Sequence, residues 1–136
     1  MESMRTARDV IDDYYALLAS RDRDGLLAVL SPDMTVAYNA PEGLFPWSGE
    51  FYGHTGFDRF LAVIAEHLEI VEIVQHRFIS DSERVVVQCT GAWKVKATGH
   101  IVEGAMVNVF TVADGLITGY EVYADTAAFA TGMAGV

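Results

Sequence analysis

Cysteine occurs once in the 136 residues, proline three times, and basic side chains number 9 against 19 acidic ones. The single thiol, Cys89, excludes an internal disulfide, and its place in the strand-like run VVVQCTG predicts a small buried hydrophobe rather than a reactive group. A formal net charge of −10 and a pI near 4.6 oppose phosphate backbones and anionic lipid surfaces, so neither nucleic acid nor a membrane is an expected partner. No run of 18 uncharged apolar residues occurs. The opening MESMRTARDVIDDYY carries acids and arginines where a signal peptide has its apolar core. The expected location is cytoplasmic. Internal repeats and low-complexity segments are also missing. No G-x-G-x-x-G run sits between a strand and a helix to cradle phosphates. His54, His67, His76 and His100 are scattered, and Glu66-His67 points to adjacent faces of a helix, so the expectation is no metal and no other cofactor.

What is present is a core. Apolar residues make up 51% and charged ones 21%, which allows a chain of this length to bury one substantial hydrophobic interior as a single domain. From Thr6 to Ser20, Ala7, Val10, Ile11, Tyr14, Leu17 and Leu18 recur at helical spacing, with Asp9, Asp12 and Asp13 opposite or flanking. Asp22 or Asp24 then caps a second short helix, GLLAVL, halted by Ser31-Pro32. A first strand is expected over Met34 to Tyr38. Thr55 is the expected cap of a third helix that presents Phe57, Phe60, Leu61, Ile64 and Leu68 on one face.

From Glu69 the pattern changes to strands. EIVEIVQHRFI, RVVVQCTGAWKVKA, HIVEGAMVNVFTV and LITGYEVYA are rich in β-branched and aromatic residues, and short turns (SDSE, TG, ADG) join them into an antiparallel meander. Both faces carry apolar side chains, so one face is expected to pack the helices and the other a second subunit, giving a homodimer. Lys94 and Lys96 alternate with Trp93 and Val95 as on a half-exposed strand. Asp125-Thr126 caps a last short helix, AAFAT, and the small residues of ATGMAGV predict a frayed end. Together these elements predict an α+β fold in which a cone-shaped, curved antiparallel sheet wraps around N-terminal helices and leaves a cavity at its open end.

Between the first strand and the third helix, VAYNAPEGLFPWSGEFYGHTGF concentrates aromatic rings in a segment that its prolines and glycines keep irregular. A surface loop is ordinarily polar because its backbone meets water. Phe45, Trp47, Phe51 and Tyr52 therefore have something to cover. Either they line a small-molecule pocket, or they plug the cone as a hydrophobic cap.

Three stretches, YYALLASRDRDGLLAVLSPDMTV, PWSGEFYGHTGFDRF and FTVADGLITGYEVYADTAAF, resemble the ketosteroid isomerase and SnoaL-like polyketide cyclase group within the nuclear transport factor 2-like superfamily. The likeness spans nearly the whole chain. It implies the cone fold, and it places Tyr14 on the isomerase's tyrosine donor. Asn108 falls where the isomerase has a protonated aspartic acid; an amide donates the same hydrogen bond without a raised pKa. Tyr38 stands where the isomerase has its aspartate base, and a phenol with an ordinary pKa near 10 is a poor base at neutral pH. A proton acceptor would have to come from Glu42, His54, His76 or Glu103, none of which spacing singles out. The acid of the fold's epoxide hydrolase branch falls at Val122. The resemblance thus implies an isomerase, cyclase or dehydratase acting on a hydrophobic, carbonyl-bearing small molecule. Tyr14, Asn108, Tyr38 and His54 are its candidate catalytic residues, and Phe45, Trp47, Phe51, Met106, Tyr120 and Val122 its candidate ligand contacts. The competing expectation is a non-catalytic ligand-binding module of the same fold.

Overall fold

A capping box opens the first helix, α1 (Ala7–Ser20): the Thr6 hydroxyl accepts from the Asp9 N–H at 3.1 Å, and the Asp9 carboxylate accepts from the Thr6 N–H at 3.0 Å. The structure, a computed structural model, describes residues 5–134. Arg21 ends α1 in the left-handed region at φ 57°, and Asp22 caps α2 (Arg23–Val29) by accepting from the Gly25 N–H at 2.9 Å. A Cβ on Gly25 would sit 2.6 Å from the side-chain ends of Leu17 and Asp22, which would have to shift to admit it. The chain passes directly into β1 (Leu30–Tyr38), whose pairing is interrupted between Leu30 and Thr35, where Pro32 has no N–H to offer a ladder.

A short strand, β2 (Gly49–Tyr52), follows and leads into α3 (Gly53–His67). The meander comes next as β3 (Leu68–Ser80), β4 (Arg84–Val95), β5 (Ile101–Ala113) and β6 (Leu116–Ala124), and α4 (Thr126–Ala134) closes the described chain. The six strands form one curved, unclosed sheet in the order β2-β1-β6-β5-β4-β3. Irregularities in register within β3, and between Thr111 and Val112 on β5, mark where the strands bend. Period-two alternation turns Val85, Val87, Cys89, Trp93 and Val95 of β4 inward, with Asn108, Phe110 and Val112 of β5 and Tyr120 and Val122 of β6. Against them lie Val10, Ile11 and Tyr14 of α1 and Phe57 and Phe60 of α3.

The expected α+β architecture is observed, with four local differences. β1 pairs with β6 in parallel, so the sheet is not wholly antiparallel; the two strands are distant in sequence and no tight turn joins them. The aromatic segment is not irregular throughout, because Gly49–Tyr52 pairs with Thr35–Tyr38. Helix α3 starts two residues before the expected Thr55 cap, with Tyr52 at the N-cap and no side-chain bond there. The last helix continues through Ala134, since Phe129 and Gly132 are buried, and tertiary packing there outweighs the weak propensity of Thr131-Gly132. Residues 135–136 lie outside the described chain.

Candidate functional site

The core is apolar with one exception. Asn108, 2% exposed, is the single buried polar residue of the described chain. It sits in mid-sheet on β5, opposite Val87 of β4 and Val122 of β6, and faces inward. Its Nδ2 donates to the Tyr15 hydroxyl at 2.9 Å, and its Oδ1 has no partner. A buried acceptor left unpaired costs about 1–3 kcal/mol, so a purely structural core would gain by replacing it. Tyr15 comes from α1 and is half-buried, and the Cys89 thiol lies beside it, two residue pairs along the sheet from Asn108. Burial pushes the Tyr15 phenol far above its ordinary value, partly offset by the hydrogen bond from Asn108. Burial likewise raises the Cys89 thiol, against a lowering hydrogen bond with Tyr15. At neutral pH both groups are therefore protonated: Tyr15 is a donor and Cys89 is no thiolate.

Aromatic rings surround this polar pair. Tyr14 meets Tyr15 and Phe110 edge-on, with centroids 5.3 and 5.2 Å away, and Phe110 stacks flat on Tyr120 at 4.8 Å. Burial holds the Tyr14 and Tyr120 phenols well above the ordinary range, and the two rings meet edge-on at 6.0 Å. Farther along, Phe45 and Trp47 stack at 4.9 Å with planes 7° apart, and Tyr38 meets both edge-on. Tyr38 is also raised by burial, and the Trp47 indole eases it back. Phe129 of α4 closes the array against Phe45 and Trp93.

The sequence-predicted residues therefore separate into groups. Phe45, Trp47, Tyr14, Tyr38, Tyr120 and Val122 line the packed interior, and Phe51 and Met106 are half-buried at its margin. Tyr52 covers nothing: it is 64% exposed and bonds Glu50. His54 does not face Asn108, because its Nε2 is held on the Leu30 carbonyl at 2.8 Å. His76 is exposed and bonds Thr90 at 2.6 Å, and Glu42 is exposed in its loop. Glu103 lies across Ala92 from Glu72, where both line an outer-face groove of about 460 Å³. None of the four expected proton acceptors joins the Asn108 cluster. Among the described residues, no group of three His, Cys, Asp or Glu side chains is placed to hold a metal ion. No helix of the described chain is long and apolar enough to cross a membrane.

Sequence reasoning missed Tyr15. The helical stripe identified Tyr14, but Tyr15 is four residues after Ile11 and three before Leu18. That spacing puts it on the edge of the same stripe, where a phenol keeps its ring buried and its tip free.

A helical layer held inside a curved, open sheet of this strand order is the fold of nuclear transport factor 2-like proteins. One such protein, from Burkholderia xenovorans LB400, superposes with a TM-score of 0.85 and 28% identity over 96% of this chain and 99% of its own. TerC, solved in co-crystals with polyporic acid, superposes at 0.82 with 28% identity over 93% and 96%. A LEH-like epoxide hydrolase from M. tuberculosis shares the fold at 0.66, with 22% identity over 92% and 86%. Within that fold the particular family is now fixed: residues 11–120 match the SnoaL-like domain, and the chain belongs to that family. Among curated proteins, none matches it in sequence.

Proposed function

We propose that the protein takes a small hydrophobic, carbonyl-bearing ring compound of polyketide-like character into the interior of its sheet. There it promotes an isomerase-, cyclase- or dehydratase-type proton shift without a cofactor. The observation that carries this reading is the Tyr15–Asn108 pair, a polar point in an aromatic interior with one hydrogen-bonding position unfilled. The Tyr15 O–H is the donor to the ligand's carbonyl oxygen, and the Asn108 N–H, bonded to the Tyr15 oxygen, strengthens that donor by polarising it. Tyr14, Phe110 and Tyr120 supply the flat walls that a ring compound needs. The family supports the reading, as does TerC, which was solved in co-crystals with polyporic acid. Tyr15 meets Phe78 edge-on at 6.0 Å and both rings are half-buried, so the way to the pair runs past the Phe78 ring while Tyr15 stays bonded to Asn108.

A second reading, ligand binding without chemistry, is favoured by the placement of Glu42, His54, His76 and Glu103 away from the pair. One experiment addresses both. Cyclic ketones and quinones are titrated against tryptophan fluorescence, and the ketones that bind are incubated in D2O and followed by NMR for exchange of the proton next to the carbonyl. Binding with accelerated exchange, lost by about 10- to 100-fold in Tyr15→Phe, supports the enzyme. Binding without exchange leaves the carrier, and no binding removes both.

The outer face of the sheet supports a homodimer. Ile79, Val86 and Val109 lie side by side across β3, β4 and β5, next to Val107 and the 46%-exposed Tyr123. We infer that a second copy covers this strip.

A further inference from the structure

The segment between β1 and β2 is held to the body of the protein by side-chain rings and not by its backbone. Among the described residues, the backbone of residues 40–48 bonds only within the segment. The Leu44 N–H donates to the Pro41 carbonyl at 3.0 Å, the Phe45 N–H to the Ser48 hydroxyl at 3.1 Å, and the Ser48 N–H to the Phe45 carbonyl at 3.1 Å. Pro41, Glu42, Gly43, Leu44 and Pro46 are exposed, so the grip comes from Phe45 and Trp47, which are 3% and 1% exposed. The two ends are fixed. Asn39 donates to the Val122 carbonyl from its backbone N–H at 2.9 Å and from Nδ2 at 3.2 Å, and Gly49 pairs with Tyr38. Gly49 has φ 101° and open space where a Cβ would stand, which makes it a hinge. The segment is thus a preformed unit, pivoted at its ends, whose internal bonds survive if the rings let go.

Those rings reach inward. Stacked at 4.9 Å with planes 7° apart, they lie between Tyr38 of β1, His67 of α3 and Phe129 of α4, at centroid distances of 6.0 to 6.2 Å. Withdrawing them leaves a slot with aromatic walls. We propose that residues 40–48 are a detachable plug, and that the slot its rings fill is a binding chamber for a neutral, flat aromatic compound. The shape follows from the stack that the compound replaces. Its neutrality follows from the ring neighbours Tyr38, His67 and Phe129, which carry no carboxylate, ammonium or guanidinium to offset a charge. The chamber is separate from the Tyr15–Asn108 pair and does not depend on it, since the rings of Phe60 and Tyr120 stand between Tyr38 and Tyr14. A chamber that exists only in the open form binds more tightly when opening is made easier, because apparent affinity scales with the open fraction.

The test has two parts. In 15N-labelled protein moved into D2O, the Trp47 indole N–H is expected to exchange at least about tenfold faster than that of Trp93, which is buried on β4 against Phe129. Equal exchange of the two would make the plug a permanent part of the core and overturn the inference. The second part titrates N-phenyl-1-naphthylamine, a neutral dye with one two-ring and one one-ring group, and reads its fluorescence. Phe45→Leu, which loses the stack on Trp47, is expected to bind the dye about fivefold more tightly than the wild type, with its fold checked by near-ultraviolet circular dichroism. Ile117→Val, which loosens the buried core on β6 away from the plug, is expected to bind it as the wild type does. Equal affinity of Phe45→Leu and wild type, or no binding to either, overturns the chamber and leaves the Asn108 reading untouched. A gain of the same size in Ile117→Val also overturns it, by tracing the effect to general loosening.

Discussion

Asn108 is a costly residue for stability, and that cost is testable without any ligand. Replacing a buried amide that has one unmet acceptor by an apolar side chain of similar volume removes a desolvation penalty. Asn108→Leu is therefore expected to unfold at the same urea concentration as the wild type or a higher one. A loss of more than about 1 kcal/mol would assign Asn108 to the architecture instead. The buried phenols give a second residue-scale prediction. Tyr14, Tyr15, Tyr38 and Tyr120 are all raised above the ordinary phenol range by burial, so the folded chain retains protons that the unfolded chain releases. Their contribution is complete below about pH 10 and declines as pH rises through that value. Melting temperature measured from pH 8 to 11 should fall increasingly steeply above about pH 10. Tyrosinate absorbance from these four should appear with unfolding and not before it. At this scale helical spacing put Tyr14 on the buried stripe, and the resemblance to the isomerase group is what singled out Tyr14, Asn108 and Tyr38. The sequence did not place the expected proton acceptors, since the direction of a side chain at a helix start depends on contacts such as His54 with Leu30 that no local pattern encodes.

Two elements carry more than their propensities predict. The segment between β1 and β2 buries Phe45 and Trp47 on either side of exposed Pro46, and the stack of the two rings makes a loop behave as core. Trp47→Ala should cost about 3–5 kcal/mol, read from urea denaturation. Helix α4 is pinned at Gly132, where a Cβ would lie 2.2 Å from Val102 Cγ2. Gly132→Ala should cost about 1–3 kcal/mol by lifting α4 from β5 and loosening Phe129 from Phe45 and Trp93. An unchanged urea midpoint would show that α4 is not part of the cooperative core. The long elements were legible because α1 and the four meander strands have strong periodicity and ordinary turn chemistry. β2 was not, being four residues in a glycine-flanked loop. The full length of α4 was also hidden, because Phe129 and Gly132 hold it from outside its own sequence.

At the scale of the whole molecule, the proposed dimer rests on the strip of Val, Ile and Tyr on the outer sheet face. Light scattering should give twice the 14.9 kDa chain mass, and Val109→Lys should return the protein to the monomer. A monomeric wild type would remove the dimer. The cone itself was readable from element order and from the resemblance of three stretches to the SnoaL-like group. The parallel β1–β6 pairing was not, because more than half of the chain separates the two strands. The central claim is that ligands bind inside the sheet at Asn108. Its most direct test is the Asn108 side-chain amide resonance, followed by NMR in 15N-labelled protein during titration with 2-naphthol. The account predicts a saturable shift of that resonance together with those of Tyr15 and Cys89. Shifts confined to Glu72, Thr90 and Glu103 on the outer groove, with the Asn108 amide unmoved, would contradict it.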